Sequence, residues 1–179
     1  MPPTPITHSQ CAAILVEWLR RHCNSEQLKA TSKAIEYKYS IFSPLRKLHL
    51  LEEMTFLYVG LAIRATNTAL TKHSTIEAVI DEFLSQLRKS LLNFMAKDDP
   101  QFSQRYSERM GVYFEQLRAN ADPIGVAGDF LVFVFASPHA RLNFEPVVQM
   151  ASTISAALQS LQQLLGEFEV SDAEPGLCI

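Results

Sequence analysis

Prolines that follow a capping or turn residue divide this chain into helices. They stand in the pairs Ser43-Pro44, Asp99-Pro100, Asp122-Pro123 and, less cleanly, Glu145-Pro146. Proline suits the first helical position because its missing N–H would have no partner there, and Ser or Asp before it accepts bonds from the next free N–H groups. Two more predicted helix N-termini have the residue spacing of a capping box, Thr7 with Gln10 and Ser74 with Glu77. The sequence therefore predicts an all-α fold.

The bulk composition is that of an ordinary globular domain. The chain has 179 residues, of which 47% are hydrophobic and 20% charged, so disorder is not expected. This length favours a single domain over residues 1–179 with a substantial core. We expect a bundle of six to seven helices over about residues 7–169 and a flexible acidic tail at 170–179.

Apolar spacing predicts the positions of the helices. They are expected at about 7–23, 26–39, 44–71, 75–97, 100–119 and 146–168. The segment 44–71 is apolar on most sides, which predicts a long, buried central helix, and Gly60 within it marks a kink or a close helix crossing. The segment 123–136 has strand-like propensity, but no second segment alternates as a partner strand would. We therefore predict a short buried helix there.

Charge is spread unevenly along the chain. The first 50 residues have a net charge of +4, whereas the residues after Arg141 contain no Lys or Arg and have a net charge of −5. Such a subunit can pair head to tail or steer a charged partner, or its two charged segments can meet within one monomer or stay solvated. The overall net charge of −3 gives no reason to expect nucleic acid as a partner.

The cysteines and apolar runs indicate the compartment. Cys11, Cys23 and Cys178 form no Cys-x-x-Cys pair, which favours a reducing environment. The first residues lack the pattern of a signal peptide, and the longest apolar run, 54–63, is shorter than the roughly 20 residues of a membrane-spanning helix. We expect a soluble, cytoplasmic protein with no membrane partner.

No catalytic motif is present. The nucleophile-elbow, phosphate-loop, dinucleotide-binding and His-Glu-x-x-His patterns are all absent from the sequence. His49 precedes Glu52 and Glu53 by three and four residues, and His73 precedes Glu77 by four, as ligands in helical metal sites can. The order and number differ from those of a di-iron bundle, so we interpret both groups as surface pairs. The sequence predicts no metal and no cofactor, and it favours a non-enzymatic protein.

The segment 146–168 carries the first functional hypothesis. Its apolar residues follow a strict four-three spacing, typical of knobs-into-holes packing, with uncharged flanks that favour burial in the bundle or a symmetric dimer face. We expect a self-associating interaction or assembly protein, a homodimer. The predicted contact residues are Val147, Ile154, Leu158, Leu161 and Leu165.

The alternative hypothesis is a bundle that binds a small apolar or anionic ligand in an internal pocket. Arg64 interrupts the most buried helix, and a buried guanidinium needs a partner. That partner is a carboxylate of a neighbouring helix or a bound anion, unless Arg64 is exposed at an oligomer face. The pocket is predicted near Arg64, His49 and Tyr58, although aromatic residues at helical spacing more often form plain core.

Overall fold

The computed structural model describes residues 3–39, 43–97, 99–118 and 122–171. Its helices are α1 (His8–His22), α2 (Ser25–Ala34), α3 (Pro44–Ala69), α4 (His73–Leu87), α5 (Asn93–Ala96), α6 (Phe102–Arg118), α7 (Pro123–Phe135) and α8 (Phe144–Gly166). A π-helical turn, Arg88–Leu92, joins α4 to α5 without a break, so these described residues contain seven helical rods. The predicted all-α bundle is confirmed.

Two predicted helix starts have the expected capping bonds. The Gln10 N–H donates to Thr7 Oγ1 at 3.2 Å, and the Thr7 N–H donates to Gln10 Oε1 at 2.8 Å, which completes the capping box of α1. At α7, Asp122 accepts a bond from the Ile124 N–H at 3.0 Å, and Pro123 is the first helical residue. The strand-like segment is therefore a helix, as predicted.

Other boundaries differ from the prediction. The helix α4 begins at His73 with Lys72 in the cap position, and α8 begins at Phe144, two residues before Pro146. Both starts are allowed because the first N–H groups of any helix lack intrahelical acceptors, so a start needs neither the expected cap nor proline at the first position. The helix α2 ends at Ala34 rather than near 39, since Glu36 turns the chain with a left-handed φ of 57°.

The helix α3 is the centre of the bundle, as predicted, and is buried along most of its length. A Cβ atom at Gly60 would lie 3.4 Å from Leu117 Cδ1 and from Tyr113 Cβ, so Gly60 marks a close crossing of α3 and α6. None of the described helices combines the length and the hydropathy needed to cross a bilayer.

A small parallel ribbon was not predicted. Its strands β1 (Thr4–Thr7) and β2 (Phe168–Ser171) pair in register, Thr4 with Phe168 and Thr7 with Ser171. The ribbon includes the first two residues of the predicted tail, whereas residues 172–179, with Cys178, lie outside the described residues.

The helix α8 separates two ends of the bundle by about 34 Å. At its start, which we call the head end, Glu145 and Gln149 line a pocket with Lys33 and Ala34 at the end of α2, and α7 also packs against α8. His49 Nε2 lies 3.2 Å from the Phe133 carbonyl oxygen there, and the Tyr37 and Phe135 ring centres are 5.4 Å apart. The other end of α8 leads into β2, and we call it the ribbon end.

Candidate functional site

Two glutamates that we predicted to lie at the surface are buried between α3 and α6. Glu52 accepts bonds from Arg105 Nε at 2.8 Å and Nη2 at 3.1 Å, and Glu53 accepts bonds from Arg109 Nε at 3.1 and 3.3 Å. Arg105 and Arg109 are four residues apart and share one face of α6, which explains why both consecutive glutamates find a cation. The surface-pair interpretation of the His49 group is therefore wrong.

The buried charges continue into α7. Asp129 pairs with Arg141 of the 3₁₀ helix (Pro138–Leu142), and Arg109 Cζ lies 3.9 Å from the centre of the Phe133 ring. The Tyr113 hydroxyl and Asp129 Oδ2 are buried and have no hydrogen-bond partner among the described residues. Burial raises the pKa of the Tyr113 hydroxyl well above its ordinary value.

This network resembles an active site in its residue types but not in its access. Burial raises the pKa of the Glu53 carboxyl, and the Arg109 charge acts against that rise. Glu53, Tyr113 and Asp129 are each at most 2% exposed, so in this conformation a substrate does not reach them. We interpret the network as a connection between α3, α6 and α7.

Among the described residues, no group of three or more His, Cys, Asp or Glu side chains is placed to hold a metal ion. The His73 side chain lies outside the described part of the structure.

The three residues of the predicted ligand pocket lie in separate places. His49 donates its Nε2 proton to the Phe133 carbonyl at the head end. Tyr58 is buried against Trp18 and His22, with ring centres 5.6 and 5.1 Å away, and burial raises its pKa. Arg64 lies on the α6 side of α3. His49 and Arg64 are 15 residues apart on α3, about 22 Å along its axis, and Tyr58 faces α1, so the three side chains do not line one pocket.

Arg64 lies in a groove of about 550 Å³ between α3 and α6, which we call the Arg64 groove. Its other lining residues are apolar Ile63, Phe114 and Leu117, polar Asn67 and Glu115, and Gly111. Arg64 is half-buried, and its guanidinium forms no ion pair with a described carboxylate. A Cβ at Gly111 would meet nothing within 4 Å, so the groove is open there. An unpaired guanidinium beside apolar walls suits a small apolar anion, whose carboxylate competes there with that of Glu115.

The apolar seam of α8 is covered by the chain itself. Val147, Ile154, Leu161 and Leu165 are at most 5% exposed in the core, and Leu158 is half-buried. Four of the five residues predicted to meet a second copy are therefore occupied within one copy. The four-three spacing therefore describes packing inside this chain, and Leu158 is the one predicted contact residue that remains partly accessible to a second copy.

Large apolar side chains are exposed at the head end. Leu45, Leu142 and Phe144 are 79%, 78% and 80% exposed, and Leu48 and Val148 are also exposed. Exposed cations lie at the same end, namely Lys33, Lys38, Arg46 and Lys47. We call these nine residues the head surface. Large apolar side chains that stay exposed at one end of a bundle indicate where another molecule can bind.

Sequence reasoning did not identify the head surface. In the sequence, Leu142 and Phe144 stand between the helices predicted at 123–136 and 146–168, where helical periodicity does not apply. In the structure, Leu142 ends the 3₁₀ helix and Phe144 is the first residue of α8. One signal was present, since two large apolar residues flank Asn143 directly after a loop and before Pro146. Large apolar residues are usually buried, so two of them in a predicted connection indicate either packing against the core or contact with another molecule.

Comparison with protein-family models, with curated proteins and with solved structures found no match to this chain in any of the three. The function is therefore argued from the chain's own residues.

Proposed function

We propose that this chain is a non-enzymatic interaction protein that self-associates through its head surface. The observation that carries the proposal is the near-complete exposure of Leu142 and Phe144 on a chain whose other large apolar residues are mostly buried. Burying one such side chain stabilises a contact by about 1.5–3 kcal/mol. Several of them together are needed to offset the ordering cost of association, which is at least about 4 kcal/mol.

The buried charges support a non-enzymatic role. Glu52 and Glu53 are each bound by an arginine, and Asp129 by Arg141, so these carboxylates stabilise helix packing. The absence of a catalytic motif from the sequence agrees with this proposal. The exposed apolar residues, in contrast, have no role within the chain that would explain their exposure.

Self-association is tested by sedimentation velocity over a range of protein concentrations. We expect the wild type to form larger species as concentration rises, and the double variant Leu142→Ser, Phe144→Ser to associate at least tenfold more weakly. The matched control is Ile124→Ser, which removes an exposed apolar side chain at the start of α7. A wild type that stays monomeric from micromolar to near-millimolar concentration contradicts the proposal.

A second function, binding of a small apolar anion, is supported by the unpaired Arg64 guanidinium in its groove. Octanoate is a suitable probe because it has one carboxylate and an apolar chain. We expect titration calorimetry to detect octanoate binding to the wild type and a roughly tenfold weaker binding to Arg64→Met. Arg20→Met, at an exposed position of α1, is the control. Equal binding by the wild type and Arg64→Met removes this candidate.

A further inference from the structure

A second apolar groove lies at the ribbon end, between α1 and the end of α8. Its volume is about 430 Å³, and we call it the ribbon groove. The apolar side chains that line it are Ile14, Trp18, Leu164 and Phe168, with Ala13 at an exposed position of its α1 wall. The Glu17–Arg21 pair, whose Nε–Oε1 distance is 3.0 Å, completes the lining. The groove is therefore a concave apolar site without an excess cation.

The border of the ribbon groove is acidic. Glu167 and Glu169 are exposed on either side of Phe168. No Lys or Arg follows Arg141 in the sequence to offset these charges. Among the described residues, the two ends of α8 thus differ in charge, since the head surface has four cations beside the exposed Glu36 and Glu145, whereas Glu167 and Glu169 border the ribbon groove.

The head side chains of one copy cannot fill the groove of that same copy. Phe144 and Leu164 lie on one continuous helix and are 20 residues apart, which is about 30 Å along its axis. Any contact between the head surface and the ribbon groove must therefore join two copies.

Charge also selects between the two ways in which copies can meet. A symmetric contact between two head surfaces would bring together four cations from each copy against two carboxylates from each copy, those of Glu36 and Glu145, and an excess of like charge across an interface opposes association. A contact between a head surface and a ribbon groove instead places these cations beside Glu167 and Glu169. Exposed apolar side chains then meet an apolar concave surface.

We propose that copies of this chain associate head to tail, with Leu142 and Phe144 of one copy in the ribbon groove of the next. The inference rests on the proposed self-association and names its geometry. Such a contact joins two different surfaces, so each dimer keeps one free head surface and one free ribbon groove and can extend into a ring or a filament. This replaces the symmetric homodimer expected from the sequence.

Two complementary variants test the geometry. A head-blocked variant has Leu142→Asp and Phe144→Asp, and a groove-blocked variant has Ala13→Arg and Glu167→Lys. All four substitutions are at exposed positions, and circular dichroism checks that both variants are folded. In a head-to-tail contact, each variant alone is monomeric. An equimolar mixture restores one contact, so native mass spectrometry is expected to show a heterodimer with one copy of each variant and no longer species.

The outcomes separate this inference from the proposed function. If the groove-blocked variant self-associates like the wild type, the contact does not use the ribbon groove, and the head-to-tail geometry is wrong while self-association stands. If the wild type itself is monomeric, both proposals fail.

A second measurement needs no substitution. Isotope-labelled and unlabelled wild-type chains are mixed and treated with a carbodiimide, which joins a lysine amine to a carboxylate in contact with it. We expect mixed-isotope links between Lys33, Lys38 or Lys47 and Glu167 or Glu169. Mixed-isotope links confined to other pairs overturn the head-to-tail geometry even if a variant fails to fold.

Discussion

Arg109 compensates the charge of the buried Glu53 carboxylate. Glu53 is fully buried, and Arg109 forms its ion pair. Arg109→Met leaves the carboxylate buried without a partner, so we expect the free energy of unfolding to fall by about 3–5 kcal/mol in urea denaturation. Adding Glu53→Leu removes the unpaired charge and is expected to recover most of that loss.

The matched control for Arg109 is Arg21, whose pair with Glu17 is exposed on α1. Because water screens such a pair, Arg21→Met is expected to change stability by less than about 1 kcal/mol. Equal effects of the two substitutions would mean that burial adds nothing to the Glu53 pair.

Cys11 makes stability depend on pH in the alkaline range. Burial raises the pKa of its thiol from the ordinary 9.0 to about 11. The folded chain therefore keeps the proton to a higher pH than the unfolded chain does, so the contribution is present below pH 9 and is lost as pH rises towards 11. We expect this loss to be about 2–3 kcal/mol.

The measurement is the slope of the unfolding free energy between pH 9 and 11, in the wild type and in Cys11→Ala. The alanine variant is expected to lose stability less steeply, whatever its stability at neutral pH. Equal slopes in the wild type and Cys11→Ala would show that the Cys11 thiol has the same pKa in the folded and the unfolded chain.

At the scale of elements, the end of α7 carries local strain. Ala136 caps this helix with a left-handed φ of 48°, a conformation that glycine adopts without steric conflict. Ala136→Gly is expected to raise the free energy of unfolding by about 0.5–1 kcal/mol, measured by thermal denaturation. The control Ala156→Gly, at an exposed position inside α8, is expected to lower it by about 1 kcal/mol. A loss of stability in Ala136→Gly would contradict the argument.

Comparison of the predicted and observed helices and strands shows which sequence signals were sufficient to predict an element. The start of α7 was predictable because Asp122 and Pro123 act locally, and α3 was predictable because apolar residues surround it on most sides. The ribbon was not predictable, since its strands have four residues each and pair across almost the whole chain. The end of α2 was also missed because the left-handed turn is formed by Glu36, a residue type with no preference for it.

The sequence could predict less about the candidate site. The charge difference between the first 50 residues and the last 38 is visible in the sequence, but only the fold places Lys33, Lys38, Arg46 and Lys47 at one end of α8 and Glu167 and Glu169 at the other. The partners of Glu52 and Glu53 were invisible because they lie more than 50 residues away on another helix. The seam of α8 was recognised, yet spacing alone does not say whether its partner is the same chain or another.

For the whole molecule, head-to-tail association should depend on salt. Raising ionic strength screens the attraction between the head cations and the acidic ribbon end, because the Debye length is about 10 Å at 0.1 M and shorter at higher salt. We expect sedimentation equilibrium to show weaker association from low to moderate salt, followed by a plateau set by apolar burial.

Lys38→Glu should weaken the association and flatten or reverse its salt dependence. The control is Lys72→Glu, an equal charge change in the connection between α3 and α4. If both variants behave alike, net charge rather than the head surface sets the salt dependence.

The ribbon has a consequence for the order of folding. It joins residues about 160 positions apart, so its formation closes nearly the whole chain into one loop. Helices and their neighbours assemble from contacts that are closer in sequence, and such contacts form first. Four residue pairs then fasten the completed bundle like a clasp. On unfolding, the clasp is expected to open before the helices, and its amide protons should exchange with solvent ahead of those in α3.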